Sequence, residues 1–431
     1  MTRSLPLSRS NEPSVHVARV PAAPFCETPF FFGGDSHPTI VAMRILIAPD
    51  KFKGSLNARE VAENIAKGLY DAMPDVDIEI VPMADGGEGT AEAICSARGC
   101  SWLQCKAHDP LGREIDARYG WIVGEKLAVM EMSEAAGMKR LAANELNPDL
   151  VTTYGVGEMI SDASCQGADQ IVIGLGGSAT NDGGFGMARA LDFRFFSGAK
   201  ELTERVSELA NLTEITLPTK VAGALVPRAQ PKSRRLTQPP LQRALPNIIA
   251  AVDVKNPLLG KNGATRVFGP QKGATKDKID ILERALTTLA DVVAGEFGFD
   301  YRDTPGAGAA GGVGFGLMSF CGAKIRPGFD VVAEAVALEA KIKDADIVIT
   351  GEGSLDRQTL EGKTPAGVAR LARKLGKRVF AIVGRTANDP EVRKLFDSVY
   401  ENARPGMSQE ENMKRAAKLL CENARALAKT L

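Results

Sequence analysis

The feature that most constrains this chain is a recurring local order: a short apolar run, a turn loaded with glycine and polar residues, then an amphipathic helix. QIVIGLGGSATNDGGFGM (170–187) is the plainest case. Ile171, Val172 and Ile173 read as a buried strand, and a helix beginning near Gly184 turns Met187, Ala188 and Leu191 inward. Between them Gly174, Gly176 and Gly177 permit positive φ and close approach of a ligand to the backbone. Ser178, Thr180 and Asn181 add neutral hydrogen-bonding groups, and Asp182 adds a carboxylate. Strand end, glycine turn and helix start leave free amides and a helix dipole pointing at one spot, which suits an anion.

The same order repeats along the chain. RILIA (44–48) is an apolar strand followed by the turn PDKFKGS (49–55). Asn57 and Glu60 have capping-box spacing, and Val61, Ile65 and Leu69 fall one helical turn apart. Val76, Ile78 and Ile80 alternate with acidic residues as a second strand, ending in PMADGGEGT (82–90). This β-α-β order implies parallel pairing, so the fold class is α/β. From 113 to 131 the texture changes: IDARYGWIV alternates and LAVMEM follows, as antiparallel strands of a separate domain would. A helix over 151–163 leads back to the strand at 170. IIAAV (248–252), DIVIT (346–350) and RVFAIV (378–383) are further strands. Helices are expected from Asp277 to Val293, after PGAGAAGGVGFG (305–316), after Pro365, and from Ser408 with Ala416, Leu420, Ala424 and Leu427 inward.

Two segments break this order. Residues 1–42 have neither period, and Met43 directly precedes the first strand, so 1–42 is expected to be a disordered or untranslated leader. Between Pro218 and Pro246 there are six prolines, six basic residues and no acidic one. Such a composition buries too little apolar surface to offset chain entropy, so 211–247 is expected to be a disordered insertion.

Charge excludes some functions. Lysine plus arginine equals aspartate plus glutamate, 53 each, so nothing supports a charge-driven nucleic-acid or membrane-surface role. No apolar run reaches the roughly 20 residues that span a bilayer. Seven cysteines without framework spacing suit a reducing, cytoplasmic location, and three histidines disfavour histidine catalysis.

The turns carry the chemistry. Five follow strands (49–55, 82–90, 174–184, 253–275, 351–363), where open α/β sheets place their ligands; 305–312 opens a further helix. Ser55, Gly86, Gly87, Gly176, Gly177, Ser178, Thr180 and Asn181 supply the polar, closely approachable backbone. Lys51, Lys53, Lys272 and Lys363 offer point charges for phosphate oxygens. Asp85, Asp182, Asp253, Glu352 and Asp356 offer hard oxygens for Mg²⁺ or a base for a hydroxyl. Anion cradle, metal, lysine and a carboxylate at the nucleophile are the parts phosphoryl transfer needs. Two familiar motifs are incomplete. GAGAAG (Gly306, Gly308, Gly311) fits G-x-G-x-x-G but follows Pro305 and polar residues instead of a strand; Gly362-Lys363-Thr364 lacks the first P-loop glycine, with Arg357 in its place.

Taken together and in order, MRILIAPDKFKGS, PMADGGEGT, GLGGSATNDGG, DVKNPL with VFGPQKGAT, PGAGAAGG, and ITGEG-x-LD-x-QT with GKTPAGVA resemble the type I glycerate kinase family, over roughly 43–210 and 247–431. The resemblance implies ATP-dependent phosphorylation of D-glycerate with Mg²⁺, most simply to 2-phosphoglycerate, with 3-phosphoglycerate as the alternative product. It implies two α/β domains: a Rossmann-like one from both chain ends (43–92 and 296–431) and a mixed one inserted into it (93–295), in a monomer or homodimer. In this reading Lys51, Lys53 and the amides of 174–184 or 306–312 hold phosphates. Asp182 or Asp85 meets the acceptor hydroxyl, and Asp253 or Glu352 sits near Mg²⁺. Three departures stand out: Ser354 replaces the family's usual arginine, Val252 a usual cysteine, and IVGRTANDPE leaves Arg385 without an assigned role. Two other classes fit less of the pattern: a nicotinamide-dependent oxidoreductase using Gly306–Gly311, and an inactive sugar-acid-binding protein on the same fold.

Overall fold

The computed structural model describes residues 43–218, 220–221, 224–225, 245–387 and 389–431. The leader expected at 1–42 and the 226–244 part of the expected insertion lie outside them. Among the described residues, eleven strands build two large sheets. In chain order they are β1 (Arg44–Ile47), β2 (Asp77–Ile80), β3 (Ser101–His108), β4 (Glu114–Ile122), β5 (Leu127–Glu131) and β6 (Gln170–Gly174). β7 (Asn247–Val252), β8 (Lys324–Pro327), β9 (Ile347–Thr350), β10 (Arg378–Val383) and β11 (Ser398–Glu401) follow.

The first sheet is wholly parallel, in the order β11-β10-β9-β1-β2. Parallel sheets need cover on both faces, which is why their central strands read as unbroken apolar runs. One face carries the helices Ala58–Tyr70 and Ala416–Ala428. Their Val61, Ile65, Leu69, Leu420, Ala424 and Leu427 close over Ile45, Ile47, Ile347 and Ile349. Burying each Leu or Ile there contributes roughly 1.5–3 kcal/mol. The capping box is formed: Glu60 N donates to Asn57 Oδ1 at 2.9 Å and Asn57 N to Glu60 Oε2 at 2.8 Å.

The second sheet runs β8-β7-β6-β5-β4-β3. β3, β4 and β5 pair antiparallel, matching the alternation read from 113 to 131, and the remaining pairs are parallel. Lys324–Pro327, which lies within the expected Rossmann-like segment 296–431, pairs with β7 of the second sheet, Ile249 against Lys324 through Val252 against Pro327. The short β8 (KIRP) has no apolar period to betray it. The start of the expected disordered insertion also moves. Glu214–Thr216 pairs with Arg194–Ser197, and Leu212 and Ile215 are buried.

The two sheets share one core. Val129, Val172 and Ala251 of the second sheet cluster with Leu46, Val348 and Val379 of the first. Between them lie Ile94 of helix Thr90–Arg98 and Val331 and Val332 of helix Gly328–Ala335. The carboxyl ends of β1, β2, β9, β10 and β11 therefore open against the turns after β6 and β7.

Candidate active site

These strand ends enclose a cavity of about 740 Å³. Following the sheet order, β11 contributes Asn402, β10 Arg385, β9 Glu352 and Ser354, β1 Asp50 to Lys53 and Ser55, and β2 Asp85 and Gly87. The facing half supplies Ser133, Lys139, Gly176, Gly177 and Asp253. The halves touch at two glycines. A Cβ on Gly176 would lie 2.4 Å from Gly87 Cα, so no larger residue allows this approach. A Cβ on Gly87 would lie 3.2 Å from Asp85 Oδ1 and 3.9 Å from Asp253 Oδ2. Both carboxylates thus converge over the contact.

The electrostatics follow from this crowding. Asp253 is pushed up to about 6, first by burial against the cleft walls and then by the charge of Asp85. Asp50 is also pushed up to about 6, by burial and Asp85, against the pull of Lys51. Asp50 has no free oxygen: Oδ1 accepts from Lys51 N at 2.7 Å and Oδ2 from Thr364 Oγ1 at 2.7 Å. Burial pulls the Lys51 ammonium down, but Asp50, Asp85, Glu88 and Glu131 together hold it above its ordinary value. Its Nζ is anchored by donating to Glu88 O at 2.6 Å. Glu352 is pushed up to about 7 by burial, with Lys363 3.7 Å away opposing the shift and Thr359 Oγ1 donating to Oε1 at 2.6 Å.

The arrangement is a trough in which Lys51, Lys53, Lys139, Lys363 and Arg385 stand among five carboxylates, with Asp85 and Asp253 at the contact between the halves. The sequence model of the Glycerate kinase family matches residues 45–431. The chain is 39% identical over 387 residues to a glycerate kinase of Halalkalibacterium halodurans, covering 89% of this chain and 97% of that one. It is 39% identical to the glycerate 2-kinase of Escherichia coli, covering 90% and 98%. A solved Salmonella typhimurium structure designated glycerate kinase 2 superposes with a TM-score of 0.74 at 39% identity, covering 90% of this chain and 98% of that one. The chain belongs to the glycerate kinase family.

Ten of the residues expected at the site line the cavity of this glycerate kinase family member: Lys51, Lys53, Ser55, Asp85, Gly87, Gly176, Gly177, Asp253, Glu352 and Lys363. The others lie outside its lining, each for a visible reason. Asp182 is fully buried and accepts from Thr153 N and Oγ1 and from the amides of Gly184 and Gly186, so it joins two helix starts away from the cleft. Burial raises its pKa and these four donors oppose the shift. Lys272 is buried and donates to Ser178 Oγ and Thr180 O at 2.7 Å each, and Asn181 Nδ2 donates to Thr265 Oγ1. Ser178, Thr180, Asn181 and Lys272 thus form an internal brace behind Gly176 and Gly177. Gly306 packs on Ile325 and Val252 of the second sheet and Gly308 and Gly311 on other loops, a Cβ on Gly311 falling 2.0 Å from Thr180 O, so they cradle no dinucleotide. Asp356 caps the turn that follows it by accepting from Gln358 N. Gly86 packs on Ala251 and Gly328.

Sequence reading passed over Asp50, Ser133, Lys139, Asn402 and Asn412. Asp50 stood in plain view at the end of an apolar strand, but the neighbouring lysines drew the assignment. Asn402 follows SVYE, too short and polar a strand to be noticed, although the ENARPG turn after it is a strong loop signal. Arg385 has a place: β9 and β10 each extend into a short parallel pair, Ser354 beside Arg385, and Arg385 Nε donates to Ser354 Oγ at 3.1 Å.

Proposed function

We propose that this chain transfers the γ-phosphoryl group of ATP to the 2-hydroxyl of D-glycerate. The observation that carries the reading is the convergence of Asp85 and Asp253 with Lys51 at the contact between the two halves, in a cleft rimmed by Lys53, Lys363 and Arg385. A kinase must bring an anionic donor and an alcohol together and shield both from water. The likeness to the Escherichia coli glycerate 2-kinase supports the 2-hydroxyl as acceptor.

In this reading glycerate lies on the inserted half. Its carboxylate meets Lys139 and the backbone at Gly176–Gly177, and its hydroxyl meets Asp253. A carboxylate raised to about 6 is ionised near neutrality yet more basic than an ordinary aspartate, which suits it to take a hydroxyl proton. Lys51 Nζ, fixed by Glu88 O, stands beside the phosphoryl group in flight, and Lys53, Lys363 and Arg385 neutralise the phosphate chain.

The donor set fits Mg²⁺. Asp50, Asp85 and Asp253 repel one another, and a divalent cation relieves that repulsion. No cluster of three metal-ligating side chains occurs among the described residues, so phosphate oxygens would complete the shell around Asp85, as Mg²⁺ in kinases commonly requires. Asp85 and Asp253 would hold the metal, which would supply positive charge to offset that developing on the phosphoryl group.

A cytoplasmic location agrees with the six cysteines among the described residues all being free thiols, and no helix among them is long and apolar enough to cross a membrane. The decisive assay couples ADP release to D-glycerate, L-glycerate and glycolate in turn, and identifies the product by phosphorus NMR. Turnover with D-glycerate giving 2-phosphoglycerate is expected. No ADP release above the no-acceptor blank, or NADH oxidation without any ADP formed, overturns the reading.

A further inference from the structure

We propose that the end of the cleft under β11 reads the nucleotide's base: an adenine-type ring with an exocyclic amine beside an unprotonated ring nitrogen. This rests on the reading that the cleft takes a nucleoside triphosphate. Asn402 and Asn412 both belong to the cleft lining, and each holds one buried polar atom without a partner, a donor and an acceptor respectively: Asn402 Nδ2 and Asn412 Oδ1.

The orientation of Asn402 is set by a chain of obligate donors. Arg404 Nη2 donates to Asn423 Oδ1 at 3.0 Å, because a guanidinium has nothing to accept with. Asn423 must therefore present Nδ2 to Asn402, and does so at 2.8 Å from Asn402 Oδ1. That leaves Asn402 Nδ2 as the unspent donor of a side chain only 2% exposed. Asn412, on the helix Gln409–Lys414, offers the unspent acceptor. Leaving a buried donor or acceptor unsatisfied is costly, so a ligand that satisfies both is selected strongly.

Near this pair in the chain the cleft is lined by Ala403, Met407, Met413 and Ala416, with Gln409 as a further polar side chain. Thioethers pack well against aromatic rings. A flat ring that accepts from Asn402 and donates to Asn412 has the polarity of the adenine edge. Guanine and hypoxanthine present an oxygen in place of the amine, and that oxygen would face Asn412 Oδ1. The distance suits a nucleotide too. Asn402 ends β11 and Lys51 follows β1, three strand spacings away, or about 14 Å. Arg385 and Lys363, beyond the intervening strands β10 and β9, stand where the phosphate chain would pass.

The test is calorimetric titration of the full chain with ATP and with ITP, beside a D-glycerate turnover assay. Two variants are compared: Asn402→Asp, which keeps the oxygen that Asn423 needs but turns the free donor into an acceptor, and Asn412→Leu. The unaltered chain is expected to bind ATP at least about 10-fold tighter than ITP. Each variant is expected to weaken ATP about 5- to 30-fold and ITP far less, with the melting temperature of Asn402→Asp retained. Equal binding of ATP and ITP, or ATP affinity unmoved in both variants, overturns the proposal. If that occurs while D-glycerate still turns over, only the base subsite falls. If ATP binding responds to both asparagines but no acceptor is phosphorylated, the subsite stands and the kinase reading falls.

Discussion

The molecule holds two kinds of glycine-rich turn that look alike in sequence and work in opposite ways. The turns after β2 and β9 open into the cleft and carry Asp85 and Glu352. The loops 178–184 and 305–316 are closed on each other. Gly311 takes φ +73°, and a Cβ there would meet Thr180 O at 2.0 Å; one on Gly308 would meet Pro257 O at 2.2 Å. For 305–316 the difference lies in what precedes it. A parallel strand delivers its turn to the carboxyl edge of the sheet, where ligands gather, whereas 305–316 follows a long helix and a polar link. The opening loop 174–184 belongs to both kinds: Gly176 and Gly177 reach the cleft, and Ser178 to Asp182 turn back into the core.

The sharpest way to break this comparison is to remove one carboxylate of each kind. Asp253→Asn is expected to lower kcat by about 10²- to 10⁴-fold, since it removes the base without removing bulk. Its denaturation midpoint should hold or rise, because a repelled carboxylate is gone. Steady-state rates with urea melts read both; a loss below threefold would take Asp253 out of the reaction.

Asp182→Asn should do the reverse. It replaces an acceptor of four hydrogen bonds by an amide that turns one donor toward donors, costing about 2–4 kcal/mol of stability. Turnover per folded molecule, corrected by active-site titration with ATP, is expected to stay within about threefold. A stable, inactive variant would return Asp182 to the chemistry.

Why sequence alone favoured Asp182 is instructive. Its neighbours, glycine and hydroxyl residues past a strand, are those of an anion site, and burial leaves no mark in the chain. The strands themselves were legible because both faces of a parallel sheet are apolar, as in DIVIT and RVFAIV. β8 and β11 were not, since KIRP and SVYE lie at sheet edges and carry no sustained period. Asp85, Asp253, Lys51 and Lys363 were legible as charges at strand ends. Asn402 and Asn412 were not, because their significance lies in which hydrogen bonds they fail to make, and only the packed structure reveals that.

A smaller effect separates the brace from the cleft by pH. Burial pushes the Lys272 amine down to about 7, against an ordinary value of 10.5. Below about 7 both folded and unfolded chains hold the proton, and the cost of burying the ammonium is present in full. Between 7 and 10.5 the unfolded chain binds the extra proton, so stability rises with pH across that window. Lys272→Met lacks the term. The stability of the original chain relative to Lys272→Met is expected to climb by about 1–2 kcal/mol between pH 7.5 and 9, read by urea denaturation at each pH. A flat difference would mean that the amine stays charged or reaches solvent.

The smallest expected effect concerns the cation at the end of β10. Position 354 carries serine where the sequence resemblance implies an arginine, and Arg385 rests its Nε on that serine's oxygen from the neighbouring strand. The pair therefore presents a guanidinium at the cleft wall from β10, and none from position 354 beside it. Exchanging the roles tests this directly. Arg385→Ala should raise the KM for ATP about 5- to 10-fold with little change in kcat, as loss of one exposed phosphate contact would. Adding Ser354→Arg to that variant should recover most of the loss, because the new side chain starts one strand spacing away and opens into the same cavity. Rescue would show that the cleft needs a cation there and is indifferent to the strand that carries it. A KM that Ser354→Arg leaves elevated would show instead that the tether from Ser354 Oγ to Arg385 Nε fixes a geometry that charge alone does not restore.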